Sequence, residues 1–244
     1  MKKLLLTLLS AAALLAACGP ETTYEYPFQD PSLSMEERID NLLSLLTPEE
    51  KIGLLMNKSI SVDSLGIPAY NWWSEACHGV RADGYTVYPQ TIGIAAAFDP
   101  EQVYKIYSTV SDEARANWNR SQREWNVDDQ ARYYPGNPEL SFWCPNINIF
   151  RDPRWGRGME TYGEDPYLMG QLGMAVVRGL QGPADSPVRK AHACAKHYAV
   201  HSGLESNRHR FDAQVSERDL RETYLPAFKD LVTKAGVQDR KSVV

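Results

Sequence analysis

The stretch RDPRWGRGMETYGEDP, Arg151 to Pro166, sets arginines at every third position and follows them with Glu160, Glu164 and Asp165. Guanidinium groups grip carboxylates or hydroxyl-rich ligands through several directed N–H donors at once. Two other stretches carry complementary chemistry: NWWSEACHGVR holds Trp72, Trp73 and Glu75, and ACAKHYAV holds Lys196 and His197. Indole, carboxylate, guanidinium, ammonium and imidazole together form the set that carbohydrate recognition needs. A sugar ring offers an apolar face for an indole to cover and a fan of hydroxyls that charged groups hold more strongly than neutral ones. Singly, each residue has a plainer explanation. A tryptophan is usually core, a histidine is usually a satisfied structural group, and an arginine run is usually a solvated ion-pair network worth little. Their recurrence after successive apolar runs favours the sugar reading.

Those runs must be held by a scaffold, and helix starts are the clearest signals of one. Ser34 with Glu37 and Thr47 with Glu50 read as capping boxes, the second with Pro48 at the first helical position. Asp99-Pro100 opens a helix with Val103, Ile106, Tyr107, Val110 and Ala114 on one stripe, and Asp165-Pro166 opens another carrying Leu168, Leu172, Ala175 and Val176. Ser216 with Asp219 caps a further helix through Leu220, Tyr224, Phe228 and Leu231, which Pro226 should kink. Between them lie IPAYNWW, TIGIAAAF, PNINIF and ACAKHYAV, short apolar or β-branched runs that read as buried parallel strands. The class is therefore α/β. Polar residues gather just after the strands, as if around one mouth, which favours a (β/α)8 TIM-barrel-type domain over a doubly wound sheet. No G-x-G-x-x-G or P-loop pattern supports a nucleotide site.

The chain has 244 residues, a net charge of −5, 43% hydrophobic and 23% charged residues, an ordinary globular composition. That mild acidity argues against a nucleic-acid partner, which would call for a basic stripe. Lys2 and Lys3 precede the apolar run LLLTLLSAAALLAAC, which is short for a membrane span and reads as a secretory signal over residues 1–17. Leu15-Ala16-Ala17-Cys18 looks like a bacterial lipobox. Cys18 is then the expected lipidation site and the only membrane attachment, residues 18–33 a polar tether, and 34–244 the folded domain. The expected location is outside the cytoplasm, periplasmic or at the outer membrane or cell surface. Cys77, Cys144 and Cys194 remain, permitting at most one bridge in an oxidising compartment, with partners the spacing leaves open. HACAKHYAVH invites a metal reading, but it lacks a carboxylate spaced as in H-E-x-x-H and a second Cys pair, so neither metal nor cofactor is expected.

The segments NWWSEACHGVR, SFWCPNINIFRDPRWGRGMETYGEDP, ACAKHYAVHSG and RHRFDAQVSERDLRETYLPAF resemble the N-terminal barrel of glycoside hydrolase family 3, in particular its β-xylosidase-like subgroup, with the β-glucosidases next. The resemblance runs from about Ser34 to about Val237. It implies an oligosaccharide substrate of plant type and a retaining mechanism. In that mechanism an aspartate forms a covalent glycosyl-enzyme, while a second carboxylate about 5 Å away protonates the leaving oxygen and then activates water. By the same resemblance, Arg157, Lys196 and His197 match residues that grip sugar hydroxyls, Glu75 matches the acidic residue opposite, and Trp73 matches a wall that favours a pentose. Arg151 and Arg154 are expected instead to pair with Asp152, Glu160 or Glu164 and hold the loop rigid.

The sequence departs from the family at its end. Where the family continues through a Tyr-Asn strand to a Ser-Asp-Trp segment bearing the nucleophile, this chain reads AGVQDRKSVV. A barrel typically takes about 250 residues. The expectation is a barrel incomplete at its C-terminal end, without a catalytic nucleophile and inactive alone. A non-catalytic glycan-binding lipoprotein is the alternative, and a single-domain β-N-acetylglucosaminidase a third, for which KHYAVHSG lacks the Pro-Gly turn of K-H-F-P-G-H-G.

Overall fold

The computed structural model describes residues 23–124 and 140–242. The expected signal, residues 1–17, and Cys18 lie outside the described residues. The chain divides into two units, residues 1–56 and 57–244.

In the first unit, α1 (Met35–Leu45) and α2 (Pro48–Leu54) both start as the sequence predicts. Ser34 Oγ accepts from Glu37 N at 3.3 Å while Glu37 Oε2 accepts from Ser34 N at 3.0 Å. Thr47 and Glu50 repeat the exchange at 3.2 and 2.8 Å. Each box satisfies backbone N–H groups that a helix start leaves without partners. A 3-10 turn, Pro27–Gln29, is fastened to α1 by Arg38 Nε donating to Phe28 O at 2.8 Å.

The second unit is α/β. β1 (Lys58–Ser59) and β2 (Tyr70–Asn71) form an antiparallel pair. β3 (Ser141–Phe142), β4 (His192–Tyr198) and β5 (Asp239–Ser242) form a parallel sheet in that order. A parallel bridge from Ser74 to Phe142 sets the chain after β2 beside β3, so four successive segments lie side by side. Between them run α3 (Thr91–Ala95), α4 (Pro100–Glu124) and α5 (Pro166–Gln181). The last crossover is α6 (Glu217–Asp219), a π-helical stretch Leu220–Tyr224, and α7 (Pro226–Ala235).

The helix stripes behave as their period requires. Val103, Tyr107, Val110 and Ala114 of α4 are buried, as are Leu172, Ala175 and Val176 of α5. The two helices approach so closely that a Cβ on Gly179 would lie 2.8 Å from Tyr104 O, and Ser111 Oγ donates to Gly179 O at 3.0 Å. Pro226 has no N–H to give to the preceding turn. Leu225 N reaches back five residues to Leu220 O at 2.9 Å, so the expected kink takes the form of a π turn. At the C-terminal end of α5, the buried Gln181 donates to Gly236 O at 3.0 Å and accepts from Gln238 N at 3.1 Å, tying this helix to the entry of β5.

Three of the four strand expectations fail in whole or part. IPAYNWW supplies only Tyr70–Asn71, half-buried and antiparallel to β1 instead of a buried parallel strand. TIGIAAAF is helical: Thr91–Ala95 forms α3, burying Thr91, Ile94 and Ala95 at i, i+3 and i+4. PNINIF is no regular strand and carries a single bridge, Asn146 to Lys196. Pro145 supplies no ladder donor, and Asn146 Oδ1 takes Asn148 N at 3.1 Å, a side chain standing in for a ladder bond.

Candidate functional site

Trp73, Glu75, Arg157, Lys196 and His197, the five residues expected to meet the sugar, all line one cavity of about 890 Å³. They come from the segment after β2, the loop leading to α5, and the C-terminal end of β4, so the parallel sheet carries its polar ends to one side.

Lys196 projects from the middle of the sheet and is almost fully buried. Its Nζ donates to Glu75 Oε2 at 2.7 Å, with the two side chains 2% and 21% exposed. Burial pulls the Lys196 pKa down, but the charges of Cys77 and Glu75 outweigh it and leave the ammonium above its ordinary value. A carboxylate has acceptor capacity for more than one donor, so Glu75 can serve Lys196 and a ligand hydroxyl together.

Arg157 is held on two sides. Its Nε donates to Glu160 Oε1 at 2.7 Å and its Nη2 to Glu160 Oε2, a forked pair three residues apart, while Nη1 lies 3.1 Å from His197 Nε2. Burial opposes both charges. The Arg157 fork, followed by Lys196 and a hydrogen bond from Asn146 at 3.3 Å, nevertheless carries Glu160 below the usual carboxylate value, and Glu160 in turn raises Arg157.

The sequence reading did not single out Asn146 or Asn148. Asn148 Oδ1 accepts from His197 N at 2.8 Å and from Nδ1 at 2.9 Å, while its Nδ2 donates to His197 O at 2.8 Å and Ala199 O at 3.1 Å. Since Oδ1 only accepts, Nδ1 carries the imidazole proton and Nε2 is left to accept from Arg157. Two asparagines two positions apart in an apolar run share one face of an extended chain, and that was the available signal. Trp143 was missed as well. It stacks on Trp73 with ring centroids 5.1 Å apart and planes 20° from parallel, and it lines the same cavity. Trp72, next to Trp73, belongs elsewhere: its indole N–H donates to Ser59 Oγ at 2.7 Å, and its ring lines a second cavity of about 410 Å³.

The arginine loop meets the expectation at Arg154, which pairs with Asp152, and departs from it at Arg151. Glu160 pairs with Arg157, not with Arg151 or Arg154. Arg154 closes on Asp152 at 2.8 Å, and Arg151 lies over the rings of Phe211 and Tyr224 at 5.6 and 5.2 Å. Those rings offer the guanidinium a cation–π seat in place of an ion pair. Trp155 is core, edge-on to Phe150 and His201 at 6.1 and 5.7 Å. Gly158 is required by close approach, because a Cβ there would lie 2.1 Å from Phe150 Cζ.

Residues 140–239 match the family description "Glycosyl hydrolase family 3 N terminal domain". A xylan 1,4-beta-xylosidase of Xylanibacter ruminicola is 50% identical over 215 residues, covering 87% of this chain and 24% of that protein. The chain belongs to glycosyl hydrolase family 3. Among solved structures, a GH3 exo-beta-xylosidase (XlnD) in complex with a xylobiose aziridine activity-based probe aligns with TM-score 0.72 and 34% identity, covering 88% of this chain and 27% of that one. A beta-glucosidase from Kluyveromyces marxianus aligns with TM-score 0.66 and 30% identity, covering 83% and 23%. The family 3 chain thus spans about a quarter of the length of these relatives.

Proposed function

We propose that this chain forms the sugar-gripping part of a retaining glycoside hydrolase of the β-xylosidase/β-glucosidase type, acting on plant-type oligosaccharides from within a (β/α)8 barrel. The observation that carries the reading is the convergence of Trp73, Glu75, Arg157, Lys196 and His197 on one cavity. The kinship to enzymes named xylosidases supports it.

In this reading Lys196, Arg157 and the neutral His197 hold hydroxyls of the sugar at the cleaved bond, Glu75 accepts from the opposite side, and Trp73 walls off the space a hexose would fill. Rigid donors on sheet and buttressed loop fix the ring before reaction, which is where positioning contributes to rate. Neither reacting carboxylate is assigned to one of the 244 residues. The proposal includes export and a lipid on Cys18, supported by the leader sequence. Metabolic labelling with a fatty acid, lost in Cys18→Ala, tests that part.

Calorimetric titration of the folded chain with xylobiose and cellobiose tests the site. Xylobiose should bind, cellobiose more weakly, and Arg157→Ala should abolish both. Absence of heat with either sugar, from a chain with a folded circular dichroism spectrum, overturns the reading.

A further inference from the structure

Two thiols meet at the wall of the sugar cavity. Cys77 lies two residues beyond Glu75, is only half-buried, and lines the cavity. Cys144 follows β3 and is buried. A parallel bridge pairs Ser74 with Phe142, which brings the segment carrying Cys77 alongside the segment carrying Cys144. Cys144 Sγ also lies 3.6 Å from Ala76 O, placing it against the backbone immediately before Cys77. The backbone of Cys77 is pinned from behind, its carbonyl accepting from Tyr107 OH at 2.5 Å and from Thr91 Oγ1 at 3.0 Å. Cys77 and Cys144 are free thiols, and Cys194 instead lines the second cavity with Tyr70 and Trp72.

We propose that Cys77 and Cys144 form a thiol modification site in the cavity wall, with Cys77 as the accessible attacking thiol, Cys144 as the buried resolving thiol, and low-molecular-weight disulfides as the reactant. The division of labour follows from exposure, since of these two thiols Cys77 alone lines a space that a small disulfide can enter. The titration directions agree. The neighbouring Cys144 side chain draws Cys77 below the ordinary thiol value, with the Lys196 ammonium adding to the effect, while burial pushes Cys144 well above it.

The reaction runs in two exchanges. The Cys77 thiolate attacks one sulfur of RSSR, an S–S bond forms between Cys77 and RS, and the other RS leaves as thiolate and takes up the proton Cys77 gave to solvent. Cys144 then gives up its proton, attacks the Cys77 sulfur and expels the second RS, which is protonated in turn. The net change is two protein thiols and one RSSR to one protein disulfide and two RSH, with the reactant as the two-electron acceptor. The bridge ties the segment bearing Glu75 to the segment bearing Trp143. This chemistry does not depend on which sugar the cavity takes.

The test uses the folded full chain incubated with glutathione disulfide, quenched with acid and mapped by non-reducing peptide mass spectrometry. The expected product is a Cys77–Cys144 cross-linked peptide two hydrogens lighter, with Cys194 still open to alkylation after unfolding. Cys144→Ser should stop at one glutathionyl group on Cys77, and Cys77→Ser should leave Cys144 unmodified. A stable glutathionyl adduct on wild-type Cys77, a cross-link through Cys194, or two unreacted thiols in the folded wild type would each overturn the proposal. The wild-type map decides the matter even where a variant fails to fold.

Discussion

Asn148 holds His197 at both its backbone and its ring: Oδ1 accepts from the amide N–H at 2.8 Å and from Nδ1 at 2.9 Å. One amide thus fixes the tautomer that presents Nε2 to Arg157. Asn148→Ala leaves buried donors and carbonyls unpaired, at a cost of about 1–3 kcal/mol. Urea denaturation should show that loss, and the nitrogen chemical shifts of His197 should lose their single-tautomer signature.

The Glu75–Lys196 pair should respond unequally to removal of either partner. Glu75→Ala strands a buried ammonium, and breaking such a pair costs about 3–5 kcal/mol. Lys196→Ala leaves a carboxylate that already reaches solvent, with 21% of its side chain exposed. Denaturation midpoints should therefore fall further for Glu75→Ala than for Lys196→Ala. The reverse order would mean that Glu75 is the more confined charge.

Arg154 and Arg157 should separate cleanly. Arg154 is 71% exposed and closes only on Asp152, whose carboxyl it holds at about 2, chiefly by hydrogen bonding. Arg154→Ala should shift the Asp152 titration upward toward the ordinary carboxylate value, part of the lowering persisting through the backbone N–H of residue 154, while sugar binding stays intact. Arg157→Ala should remove binding. Equal loss in both variants would overturn this separation.

His201 predicts an acid-side loss of stability. Burial first, and then the Arg157 and Arg208 cations, lower its pKa to about 4. The folded chain therefore binds fewer protons at this site than the unfolded chain between the ordinary histidine value of about 6.5 and that lowered value, so stability declines as pH falls through this window. His201→Phe should flatten the decline in a series of denaturation midpoints against pH.

Gly158→Ala should overpack the loop, because the new methyl meets the Phe150 ring. Overpacking costs about 1–3 kcal/mol. Adjacent Arg157 moves with the backbone, so sugar affinity should fall together with thermal stability.

Helix starts were legible because their signals are local: Ser34 with Glu37, Thr47 with Glu50 and Ser216 with Asp219 each make their cap within four residues. Thr91–Ala95 was misread because a short apolar run fits a buried strand as well as a buried helix turn. The five expected cavity residues were legible from their chemistry and from family resemblance. Asn146, Asn148 and Trp143 were not, since their roles depend on which partners the sheet brings across: His197, Glu160 and Trp73. Glu160 also changed partner for a spatial reason. Arg151 found two aromatic rings, and Arg157 stood at the helical spacing that allows a fork.

The Glu75–Lys196 contact joins positions 121 residues apart, and Arg157 meets His197 across 40. Contacts this distant form only after long loops have closed, and chains dominated by them fold slowly. The cavity therefore has no precursor in any single segment and comes into being with the docking of β4 beside β3. A bound sugar would stabilise only that completed arrangement by mass action. Sugar added during refolding should then slow unfolding without hastening the search that precedes docking, which makes ligand affinity a clock for the last stage of assembly.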